Sequence, residues 1–179
     1  LSVAGTGSTF LWKNYQLLTD QKLPHDHMIT DVSAECGIIT IRDPAERLES
    51  GFLYEFMYPR HGRARLTKFK SASNFANALL DTNNNDHRKA RYLFRASVHK
   101  SSPGDSGSFF LYPQSRYFDR NVNKTMHVFC TRCLTEQWST FSHQAMAGMH
   151  MQRSKEASSE VKTKSKLGAN QSEFIRTLF

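Results

Sequence analysis

Ser101-Ser102-Pro103-Gly104-Asp105-Ser106-Gly107-Ser108, followed by Phe109-Phe110-Leu111-Tyr112, is the stretch where residue type, order and flanks together point to a reaction. A serine hydroxyl becomes a nucleophile when a base takes its proton and nearby donors stabilise the resulting oxyanion. Gly104 and Gly107 let the backbone turn tightly and bring amide groups close to a substrate carbonyl. Read this way, Ser106 is the nucleophile and the amides of Gly104 and Ser106 form the oxyanion hole, with Pro103 stiffening the entry. The runs 91–98 and 109–112 read as strands holding the loop on a rigid sheet. The competing expectation is an ordinary hairpin loop, since Ser, Pro, Gly and Asp between two β runs make a turn.

Gly104-Asp105-Ser106-Gly107-Ser108 resembles the nucleophile segment of the chymotrypsin-like serine peptidases, particularly their compact viral and bacterial members. Gly5-Thr6-Gly7-Ser8-Thr9-Phe10-Leu11, with Tyr15-Gln16-Leu17-Leu18-Thr19, is similar to the first hairpin of that fold. The resemblance covers residues 3–115. It implies a chain that is mostly β with a C-terminal helix, folded as a double β-barrel of chymotrypsin type; an α+β single sheet is the alternative. In the family the catalytic His follows the Leu-Thr pair by three positions, where this chain has Lys22. The base therefore falls to His27 or His25, or is absent from a degenerate peptidase. The acid implied is Asp43, 63 residues before Ser106, with Glu35 the other choice. An active member cleaves a peptide or polyprotein, including its own precursor, and uses no cofactor or metal.

A net charge of +8 and a pI near 9.6 favour acidic partners such as nucleic acid. The charge concentrates in Arg60-His61-Gly62-Arg63-Ala64-Arg65-Leu66-Thr67-Lys68-Phe69-Lys70. There Arg60, Arg63, Arg65, Lys68 and Lys70 either contact RNA phosphates or form a solvated sheet edge that discourages aggregation. A small-ribonuclease reading is also available: Glu55 as base, an arginine on the phosphorane and His87 as acid. It is disfavoured because 92 residues follow His87, whereas such enzymes end soon after theirs. A viral shell or assembly component is a further alternative for a basic, aromatic-rich domain. No apolar run approaches the length of a membrane span. Three cysteines do not make a disulfide framework, which favours a reducing cytoplasm, that of a host cell if the protein is viral; secretion stays open. Cys130 and Cys133 could bind zinc with His143 and His150, but the gaps fit no common finger template, so a structural Cys pair is preferred.

Along the chain, residues 31–42 hold a β-branched run read as a core strand. Asp43-Pro44 then starts a turn or short helix with Asp43 as N-cap. Residues 51–58 read as an aromatic strand, 73–80 as a helix, and 116–119 and 126–129 as two more strands. The expected division is a β-rich domain over 1–135 and, over 136–179, a helical segment with a polar basic tail.

Overall fold

A computed structural model describes residues 36–59, 65–98, 107–119, 123–142 and 158–179. The chain divides into two compact units, 1–42 with 114–156 and 43–113 with 157–179.

In the first unit, β1 (Cys36–Ile41) pairs with β2 (Thr125–Cys130). The pairing is parallel, with Cys36 opposite Thr125 and Ile41 opposite Cys130. Gly37-Ile38-Ile39-Thr40-Ile41 supplies the β-branched side chains that suit a pleated, buried strand. Ile39 and Thr40 are buried. A short helix, α4 (Ser115–Asp119), precedes β2. After β2 a 3-10 turn (Thr131–Cys133) leads into α5 (Leu134–Ser142). Trp138 of α5 packs with Phe129 and Leu134, the Phe129 and Trp138 ring centroids lying 6.1 Å apart with the rings tilted.

The second unit is helical. It comprises α1 (Pro44–Met57), α2 (Ala72–Leu80), α3 (His87–Val98), α6 (Ser159–Lys164) and α7 (Ala169–Thr177), with 3-10 turns at Leu66–Phe69 and Phe109–Leu111. Asp43 caps α1 by accepting from the Glu46 amide at 3.1 Å, and Pro44 occupies the first turn, where its missing N–H costs nothing. Leu48, Phe52, Leu66, Phe69, Phe75, Leu93, Leu111 and Ile175 form the core. Phe69 meets Phe75 edge-on at 4.9 Å, a favoured aromatic geometry.

The described residues are mostly helical with one two-stranded parallel sheet, so neither the mostly β class nor the chymotrypsin-type double β-barrel holds. The one sheet among the described residues is this parallel pair, and helices occupy the connection between its strands, as parallel pairing requires. Residues 51–57 continue α1 instead of forming a strand. The buried positions Leu48, Gly51, Phe52 and Glu55 follow helical spacing, which outweighs the β preference of the aromatics. Residues 91–98 belong to α3, burying Ala90, Leu93, Ala96 and Ser97, and 116–119 lie in α4. Within the span 136–179, where a helical segment with a polar basic tail was expected, residues 158–179 carry α6 and α7, and Ile175 of α7 is buried in the core. β1, the Asp43 cap, α2 and β2 lie where the sequence placed them.

Candidate anion site at the carboxyl edge of the strand pair

Both strands of the first unit run in the same direction, so their carboxyl ends share one edge. In open α/β sheets that edge is where ligands bind, because loops and helix N-termini converge there. The last paired residues are Ile41 and Cys130. Arg42 follows the first, and Thr131 and Arg132 follow the second. The register thus puts two guanidinium-bearing residues just past neighbouring strand ends.

The backbone at this edge is held by side chains. The Gln114 carboxamide accepts from the Arg42 amide at 2.9 Å and donates to the Arg42 carbonyl at 2.6 Å. It thereby imitates a neighbouring strand's peptide group and prolongs the ordered conformation one residue past β1. The Thr131 hydroxyl donates to the Ile41 carbonyl at 2.9 Å, tying the two strand ends together. The Cys130 amide donates to Gln137 Oε1 of α5 at 2.7 Å, which fixes the turn carrying Arg132. Arg42 is half-buried and Arg132 exposed. Guanidinium forks match phosphate oxygens in pairs, so two arginine-bearing segments ending at one strand edge suit a phosphate group. One acid, Glu136, lies in the first turn of α5.

Ser106, Gly104, His25, His27 and Glu35 lie outside the described residues, as do Arg60 and Arg63. Asp43 is described, and both its carboxylate oxygens are engaged. Oδ1 takes the Glu46 amide, and Oδ2 accepts from Arg176 Nε at 2.7 Å. Burial alone would raise this carboxyl, but the hydrogen bond and charge of Arg176, with the amides, hold it below the usual carboxylate range. Arg65 is half-buried and its charge acts on Glu55, while Lys68 and Lys70 are exposed around the 3-10 turn. Glu55 is buried in α1 and accepts from the Leu66 amide at 2.7 Å. His87 opens α3, its Nδ1 2.7 Å from the Ala78 carbonyl.

The end of the Gly-Asp-Ser-Gly-Ser motif is described and packs into the helical unit. Gly107 sits against α3 so closely that a Cβ there would lie 2.9 Å from the Ala96 carbonyl oxygen. The buried Ser108 amide donates to Ser97 Oγ at 2.8 Å, and that hydroxyl donates to the Leu93 carbonyl at 2.7 Å. Phe109–Leu111 is a 3-10 turn, not the strand expected after the motif. Cys130 and Cys133 are free thiols, and the described residues contain no group of three His, Cys, Asp or Glu able to hold a metal. His143 and His150 lie outside the described residues. No described helix is long and apolar enough to cross a membrane.

Arg42, Gln114 and Arg132 were missed as site residues by sequence reasoning. The abrupt change from Ile38-Ile39-Thr40-Ile41 to Arg42-Asp43-Pro44 did mark a strand end before a helix cap. Nothing local announced that Cys130 would lie beside Ile41. Comparison with family models, curated proteins and solved structures finds no match to this chain.

Proposed function

We propose that the first unit binds a phosphate-bearing small molecule of the nucleotide class at the carboxyl edge of β1 and β2. Arg42 and Arg132 are the anion contacts, and Gln114 and Thr131 are positioning residues. The observation that supports this reading is the parallel register ending at Ile41 and Cys130, which brings the segments carrying Arg42 and Arg132 to one edge of the strand pair.

The test is thermal unfolding with nucleoside mono-, di- and bisphosphates, inorganic phosphate and unphosphorylated nucleosides. A ligand at a hundred times its dissociation constant adds about 2.7 kcal/mol to the stability of the folded state. Phosphorylated ligands should raise Tm with concentration while nucleosides do not, and Arg132→Ala and Arg42→Lys should each weaken the effect about tenfold or more. Absence of a shift with every phosphorylated compound at millimolar concentration refutes the reading. Peptide-bond hydrolysis at Ser106 is supported by its sequence motif alone. Fluorophosphonate labelling of the wild type that is lost in Ser106→Ala would establish it.

A further inference from the structure

The helical unit carries a second charged feature, on α3 (His87–Val98). Its buried side is formed by Ala90, Leu93, Ala96 and Ser97. On the opposite side Arg88, Arg91, Tyr92 and Arg95 follow the spacing i, i+3, i+4 and i+7, which gathers them into one longitudinal stripe. All four are exposed, and Tyr92 is 65% exposed. None of the three arginines has a carboxylate partner among the described residues; the nearby acid, Asp86, pairs with Lys89.

The arrangement is unfavourable for the free helix. Arg88, in the first turn of α3 with no acid beside it there, opposes the macrodipole, whereas Arg95 in the last turn complements it. Arginines at i, i+3 and i+7 also repel one another. A polyanion along the stripe would relieve both. From 88 to 95 the helix rises about 10 Å, close to three stacked nucleotides of one strand at about 3.4 Å each. An exposed tyrosine among the arginines offers a ring face on which an unpaired base can stack.

We infer that this face of α3 binds the backbone of single-stranded nucleic acid, with Arg88, Arg91 and Arg95 on phosphates and Tyr92 stacked against a base. The stripe is separate from the strand-edge site and does not depend on it. Duplex nucleic acid is disfavoured because its bases are not available to Tyr92, and a sulfated polysaccharide because it has no aromatic face to stack.

The test is fluorescence anisotropy of the full chain with labelled twelve-nucleotide oligo-U and oligo-dT across a salt series. Three phosphate contacts on a single strand contribute about 2 to the log–log salt slope. The triple variant Arg88→Gln, Arg91→Gln, Arg95→Gln should lose that part of the slope. Tyr92→Ala should weaken single-strand binding about five- to a hundredfold and leave the slope unchanged. Circular dichroism checks that these exposed substitutions preserve the helix. No binding by the wild type at low salt overturns the inference. So does duplex or heparin binding that equals single-strand binding and is indifferent to Tyr92→Ala. Nucleotide-dependent thermal shifts retained in the triple variant would show the two sites to be distinct.

Discussion

The guanidinium of Arg47 donates through Nη1 to the carbonyl of Tyr112 at 2.5 Å, joining α1 to a residue 65 positions later. Nη2 donates to the Phe109 carbonyl at 2.6 Å. Arg47 is only 2% exposed, so its charge is kept in the interior by those backbone oxygens at the two ends of the 3-10 turn. Hydrogen bonds from a charged group contribute about 1.5–3 kcal/mol each, and their loss leaves buried carbonyls unsatisfied. Arg47→Met, which keeps most of the volume, should therefore destabilise the protein by roughly 3 kcal/mol. Urea denaturation would show this as a lower midpoint at unchanged slope; a midpoint equal to wild type would mean that the pair does not anchor the turn.

Gly51 faces Phe110 across the same contact between α1 and the turn. A Cβ at 51 would lie 2.5 Å from Phe110 Cγ, closer than atoms approach without movement. Gly51→Ala would ordinarily favour a helix by about 1 kcal/mol, but here overpacking should dominate and cost roughly 1–3 kcal/mol. Adding Phe110→Ala should recover much of that loss relative to Phe110→Ala alone. Additive effects in this double-mutant cycle would contradict the clash.

Glu55 makes stability depend on pH. Burial raises its carboxyl from 4.5 to about 7, despite opposing hydrogen bonds from the Leu66 and Thr67 amides. Between those two values the folded protein holds a proton that the unfolded chain has released, so stability falls as pH rises through this window. The span corresponds to about 3 kcal/mol at most, lost by pH 8. Glu55→Gln should be flatter between pH 5 and pH 8 in chemical denaturation, and more stable than wild type at pH 8. A wild type whose stability increases steadily across that range would show the carboxylate to be favoured instead.

Asp43 works in the opposite direction. Its depressed carboxyl contributes stability above the unfolded value, near 3.8, and loses it as pH falls through the folded one. Asp43→Ala removes both the α1 cap and the partner of Arg176, and should cost about 1 kcal/mol for the cap alone. Asp43→Asn keeps a capping oxygen and should cost less. Equal losses in the two variants would place the weight on Arg176 and not on the cap.

The reading of the chain succeeded where structure is governed by neighbours. Asp43-Pro44 and the Ile-rich run before it announced a strand end and a helix start, and Ser71 caps α2 through the Asn74 amide just before the predicted helix. It failed at 51–58 and 91–98, where aromatic residues suggested β structure while Leu48, Gly51, Phe52 and Glu55, then Ala90, Leu93 and Ser97, kept the helical period. Of the strand-edge site, Arg42 stood in view beside a recognisable strand end, but its companions Gln114 and Arg132 belong to a distant part of the chain.

Composition and local order by themselves determined a basic protein with an aromatic core, the cap on α1, and the segments that become β1, α2 and β2. They could do so because capping and β-branching act over a few residues. Only tertiary structure decided that β1 and β2 run parallel, that Arg47 reaches the carbonyls of Phe109 and Tyr112, and that the arginines of α3 face outward. Those outcomes depend on which distant surfaces exclude water from one another, and that burial is a property of the whole fold.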